Sequence, residues 1–310
     1  MEGLELKRME GVALLLALQN SRKTLKCLYC WGAFERTEGP LLVDTGNFNG
    51  TGVYKDRVIR ESEWLQAIGY LQSLTTLSLN YAYIANAEGD FLIKLSETIG
   101  EHWRWLQLLC IEDEIPVITN PNDGVGGHEI PDIAWKNARV FAPELKVQFV
   151  FVDVYGYDNQ RRFLSKSIPV HTIIISTSVR MKREDPSMID CTIKTLWFWY
   201  PETLVHLALQ LWHHQETLDS LLKKILINLP HVEVLEFTGE VREMKTLHTI
   251  CTQITSQTLK IKYISFHLQR PIHALINEEE WKTNTLNLLS TFQQDFTKQG
   301  ITFIINFYPM

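Results

Sequence analysis

The chain has 310 residues, 45% of them hydrophobic, and 36 acidic side chains against 30 basic ones give a formal net charge of −6. Such a chain can bury a large core, and it presents no basic field for nucleic acid or anionic lipid. Five cysteines (Cys27, Cys30, Cys110, Cys191 and Cys251) are an odd number scattered over the length, which argues against a disulfide framework and for a reducing compartment.

Met9 to Leu18 reads as a helix. Lys7 and Arg8 before the apolar run Gly11–Leu18 imitate a secretory signal, but Gln19-Asn20-Ser21-Arg22-Lys23 follows instead of a small-residue cleavage site. No apolar run approaches the roughly 18 residues of a membrane span. The expectation is an intracellular chain, cytoplasmic or nuclear.

After that helix, Leu25-x-x-Leu28-x-Cys30 reads as a strand. Residues 37–56, rich in glycine and asparagine, read as an inserted loop. A helix from Arg57 to Leu71 precedes the strand Leu74-x-x-Leu77-x-Leu79. A helix from Ala87 to Trp103 precedes Leu106-x-x-Leu109-x-Ile111, and 114–131 is a second insertion. Asp132 to Phe141 is helical up to Pro143, and Leu145 to Asp153 is a strand whose register is ambiguous at Gln148. Tyr157 to Lys166 leads to Val170-x-x-Ile173-x-Ile175. Met188 to Tyr200 leads to Leu204-x-x-Leu207-x-Leu209, and Thr217 to Asn228 to Val232-x-x-Leu235-x-Phe237. Val241 to Gln253 leads to Ile261-x-x-Ile264-x-Phe266, and Glu278 to Lys298 to a last strand at Ile301 to Phe307.

One strand and one helix therefore recur about nine times, most regularly over the 28 residues from Leu207 to Leu235. This is the pattern of a leucine-rich-repeat solenoid. The expected fold is α/β, a single horseshoe-shaped array over 1–310 with a parallel concave sheet and outer helices. Each unit covers its neighbours' apolar face, so stability comes from stacking. Alternation along the strands then assigns residues to the exposed concave face. They are Tyr29 and Trp31; Ser78 and Asn80; Cys110 and Glu112; Ile174 and Ser176; His206, Ala208 and Gln210; Glu236 and Thr238; Ser265 and His267. Mixed polar and aromatic side chains on a rigid surface suit a protein partner.

The constellations that would carry chemistry fail on spacing. On a strand, Cys27 and Cys30 point to opposite faces, and a second pair for a metal is missing from the sequence. Gly124-Val125-Gly126-Gly127-His128 has no Gly-Lys-Ser/Thr, and His128-Glu129 lacks the second histidine of the zinc-protease pattern. His213-His214 has no partner at helical spacing, and no Gly-x-Ser-x-Gly elbow occurs. Glu278-Glu279-Glu280 fits the first turn of a helix. Trp197, Trp199 and Trp212 cluster near one repeat junction as a candidate contact point. The expectation is a non-catalytic chain without cofactor or metal.

Four segments carry a resemblance. They are Ser78-Leu79-Asn80-Tyr81-Ala82-Tyr83-Ile84, then Ala134-Trp135 through Pro143 into Leu145-Lys146-Val147-Gln148-Phe149-Val150-Phe151, then Pro169-Val170-His171-Thr172-Ile173-Ile174-Ile175-Ser176, and His214 to Asp219. In this order they resemble the repeat region of F-box/leucine-rich-repeat proteins of the F-box only protein 39 type, over most of Met9 to about Gly239. The resemblance implies a substrate receptor of an SCF (Skp1–cullin–F-box) ubiquitin ligase, holding a protein substrate on its repeats. The F-box that would bind Skp1 does not precede the repeats in this sequence. Skp1 and cullin are therefore expected as partners only where an F-box lies upstream or in a longer isoform. The other expectation is a free-standing repeat scaffold or inhibitor with no ubiquitin link.

Overall fold

The computed structural model describes residues 16–31, 67–85, 89–111, 130–177, 189–211, 218–256, 259–269 and 277–308. Several readings lie outside them: both insertions apart from Ile130 and Pro131, most of the first two helices, the glycine cluster, His213-His214, Glu112 and Trp212.

The fold is α/β, with nine strands and eight α-helices among the described residues. The strands are β1 (Cys27–Tyr29), β2 (Thr76–Asn80), β3 (Trp105–Ile111), β4 (Lys146–Val152), β5 (Val170–Thr177), β6 (His206–Leu211), β7 (Val234–Glu240), β8 (Tyr263–Gln269) and β9 (Thr302–Tyr308). The helices are α1 (Tyr81–Ala85), α2 (Asp90–Ile99), α3 (Asp132–Phe141), α4 (Tyr157–Arg161), α5 (Ile189–Trp199), α6 (Asp219–Asn228), α7 (Met244–Thr255) and α8 (Glu278–Lys298). The chain divides into two compact units, one of residues 1–148 with 162–168 and one of 149–161 with 169–310.

In the first unit β1, β2 and β3 are parallel neighbours, with Leu28 opposite Leu77 and Leu77 opposite Leu106. This register corrects the sequence reading of β3 by three residues, an odd shift that exchanges its two faces. Trp103, not Leu106, takes the first apolar position, and Leu106, Leu108 and Cys110 turn inward, all fully buried. The run Leu106-Gln107-Leu108-Leu109-Cys110-Ile111 is apolar on both parities, so two registers fit it. Cys110 therefore belongs to the core, and Leu109 and Ile111 take the open face. In β4 the buried residues are Val147, Phe149 and Phe151, so Gln148 is an open-face position and the ambiguity disappears. The short helix α1, directly after β2, was not foreseen. Its Tyr81 places a hydroxyl 2.9 Å from the Ile130 amide, which donates to it, and sets its ring edge-on to Phe163.

Helices α2 and α3 pack through a close approach at Gly89. Its φ is +90°, and a Cβ there would stand 2.5 Å from Ala134 Cβ. Both facts demand glycine. Asp132, the first residue of α3, accepts hydrogen bonds from the Ser167 amide and hydroxyl, each at 2.8 Å.

In the second unit β5 to β9 are parallel neighbours in chain order, with Ile173, Leu207, Leu235, Ile264 and Phe303 in one row. The inward parity is aliphatic at β5 and β6 and aromatic towards β9. Phe237, Phe266 and Phe303 meet edge to face in sequence. Helix α8 closes this end by setting Trp281 against Phe307 and Phe296 against Phe303. Burial of Trp281 and Phe296 contributes on the order of 1.5–3 kcal/mol each, which holds α8 against the half-buried Phe303 and Phe307 of β9. The Asn277 side chain accepts from the Glu280 amide at the start of α8, and Glu278 to Glu280 occupy its first turn as expected.

A second bracket of the Asp132 kind appears here. Buried Asp219, opening α6, accepts from the amides of Arg242 and Glu243 and from the Thr246 hydroxyl. It caps α7 from the neighbouring helix.

Candidate functional site: the open face of the strands

The face of each sheet opposite the helices carries the residues that alternation selects. In the first unit Tyr29 is 66% exposed and Trp31 40%. Ser78 and Asn80, on the same parity, are buried. The Trp31 indole explains part of this. Its Nε1 lies 3.5 Å from the Gln107 carbonyl oxygen on β3, so the ring reaches across β2. Small side chains between larger neighbours about 4.8 Å away on adjacent strands lose their exposure without changing face. Gln107 and Gln148 approach to 3.4 Å, and the Lys146 ammonium stands over the Trp105 ring. The two sulfurs of Cys27-x-x-Cys30 part as expected. Cys27 is exposed, whereas Cys30 is buried and its thiol donates to the Ser78 carbonyl. Burial pushes the Cys30 thiol up to about 12, away from the thiolate form in which a cysteine is most reactive.

The second unit assembles the larger site. Register aligns Ser176, Gln210, Thr238, His267 and Asn306 in one row. A second row runs Ile174, Ala208, Glu236, Ser265 and Ile304. A third, towards the strand ends, runs Glu240, Gln269 and Tyr308. Sequence reasoning selected Ser176, His206, Gln210, Glu236, Thr238, Ser265 and His267, and the strands bring them together. It missed Glu240, Gln269, Asn306 and Tyr308. The alternation Thr302, Ile304, Asn306, Tyr308 was the available signal, because β9 was predicted as a strand without being read for its faces.

Two polar contacts organise these rows. His206 Nε2 lies 3.1 Å from Glu236 Oε1 across β6 and β7. Ser265 Oγ and His267 Nε2 share a hydrogen bond of 2.8 Å, and Asn306 Nδ2 is 3.3 Å from His267 Nδ1. The His267 ring lies beside Tyr308, with centroids 5.6 Å apart. A hydroxyl, an imidazole and an amide in line resemble the parts of a nucleophilic site. Ser265, however, is only 1% exposed, and β8 runs between two paired strands, so its amides serve the ladder. That hydroxyl anchors the imidazole. The imidazole, held at both nitrogens, presents a fixed ring to solvent.

Thr238 is buried on the open face, as Ser265 is; His206, Gln210, Glu236, His267 and Ser176 are half-buried. Glu240 is buried and accepts from Arg242 Nε at 2.7 Å. Trp197 and Trp199 lie on α5, half-buried, beside Phe198, which is 79% exposed. Among the described residues, no group of three histidine, cysteine or carboxylate side chains is placed to hold a metal ion, and no helix is long and apolar enough to cross a membrane. No protein-family model matches the chain, and no curated protein matches it.

Proposed function

We propose that this chain is a non-catalytic recognition module that holds a protein segment on the open face of its parallel strands. The observation that carries this reading is the in-register row Ser176–Gln210–Thr238–His267–Asn306 over five strands. Its side chains differ in chemistry but are held by one rigid ladder, which gives a surface preorganised for specificity. The repeats are read as leucine-rich repeats of the horseshoe type. The 28 residues from Leu207 to Leu235 and the 29 from Leu235 to Ile264 support that reading.

The finer proposal is a substrate receptor of an SCF ubiquitin ligase, and it rests on the resemblance of the four quoted segments to F-box/leucine-rich-repeat proteins. Skp1 and cullin contacts are assigned to no residue of this chain. The test is affinity purification from source cells with mass spectrometry, using as bait this chain and the longest transcript of its locus. Recovery of Skp1 and cullin with either bait supports the receptor role, and their absence from both turns the proposal to a free scaffold or inhibitor. A tryptophan at Gln210 tests the face itself: bound proteins that survive Gln210→Trp are held elsewhere.

A further inference from the structure

We infer that the open face of the second unit binds an extended segment carrying a basic side chain, with Glu236 as the receiving carboxylate. This rests on the reading of that face as the recognition surface. The open-face positions of β5 to β9 contain two carboxylates, Glu236 and Glu240, and neither lysine nor arginine. Glu240 is buried and held by Arg242. Glu236 is different. It stands near the middle of the face, its side chain is 35% exposed, and among the described residues its carboxylate meets only His206, through Oε1. Its Oε2 remains able to accept.

The His267 ring, fixed by Ser265 and Asn306 and set beside Tyr308, offers flat surface for the stem or plane of an arginine. A carboxylate with one oxygen able to accept and a fixed imidazole ring on the same face complement a guanidinium or ammonium group. An acidic segment would meet Glu236 with like charge.

The experiment selects peptides from a random library displayed on phage against the full chain. The chosen peptides are then measured by fluorescence anisotropy against the parent chain, Glu236→Gln, Glu202→Gln and Gln210→Trp. Glu202 is an exposed loop carboxylate paired with His231, so its variant carries the same charge change away from the face. The expected peptides are enriched in arginine or lysine. They weaken about tenfold on Glu236→Gln, as loss of a charge-assisted hydrogen bond requires, lose binding on Gln210→Trp and ignore Glu202→Gln. Peptides blocked by Gln210→Trp but lacking basic residues, or indifferent to Glu236→Gln, overturn the basic-ligand inference and leave the face reading standing. Peptides indifferent to Gln210→Trp, or a library that yields none, overturn both. Circular dichroism of each variant confirms that it is folded before its binding is scored.

Discussion

Asp219 shows how much one buried side chain can organise. It begins α6, yet its oxygens receive the Arg242 and Glu243 amides and the Thr246 hydroxyl at the start of α7. Glu243, the residue at the α7 N-cap, makes no side-chain cap of its own, so Asp219 supplies the acceptor that a helix N-terminus lacks. Asp219→Ala leaves three donors facing a buried gap and is expected to cost about 2–3 kcal/mol, read as a lowered urea midpoint. Asp219→Asn keeps one carbonyl oxygen and should lose less. Asp132 plays the matching part in the first unit, but it is partly exposed. Burial pulls its carboxyl upward, while hydrogen bonds from Lys136 and Ser167 outweigh that and hold it well below the usual carboxylate range. A folded value below the unfolded one of about 3.9 means the ionised carboxylate stabilises fully above that value. The contribution fades as the pH falls towards the folded value. Asp132→Asn should therefore be less stable than the parent at pH 7, and the gap should narrow from about pH 4 downward, which urea titrations at pH 7 and pH 3 would show.

At the scale of elements, β3 marks where sequence reasoning reached its limit. Strands such as β6, where Leu207 and Leu209 alternate with His206, Ala208 and Gln210, reveal their register from alternation alone. So do helices closed by proline or glycine: α3 and α8 fall on their predicted residues. β3 has apolar residues on both parities, and the choice was made by Trp103, whose bulk fills the first core position. That choice depends on the space left by β2, which a single strand's pattern does not record. The brackets at Asp132 and Asp219 escaped for the same reason, since their partners lie 23 to 35 residues away. A substitution pair separates the two registers. Leu108→Lys places an ammonium at a fully buried site and is expected to abolish cooperative unfolding, because a buried unpaired charge costs several kcal/mol. Leu109→Lys faces the open side and should stay within about 1 kcal/mol of the parent. Thermal melts of the two variants decide it, and the reverse order would restore the register read from sequence alone.

The chain as a whole carries 36 acidic and 30 basic side chains, and this excess acts on a basic ligand differently from Glu236. A net negative field draws a cationic segment in from a distance and raises the rate of encounter, whereas a carboxylate in direct contact slows departure. Salt separates the two. The screening length falls from roughly 14 Å near 0.05 M to about 4 Å near 0.5 M, which removes the distant attraction and leaves much of the contact at Glu236, whose side chain is partly buried. Stopped-flow association of a selected basic peptide should therefore slow with added salt, with a smaller change in dissociation. Glu236→Gln should do the opposite at fixed salt: dissociation accelerates by about tenfold while association changes little. If salt and the substitution instead act on the same rate constant, the peptide is held by the general field of the molecule and not by the row of side chains that includes Glu236.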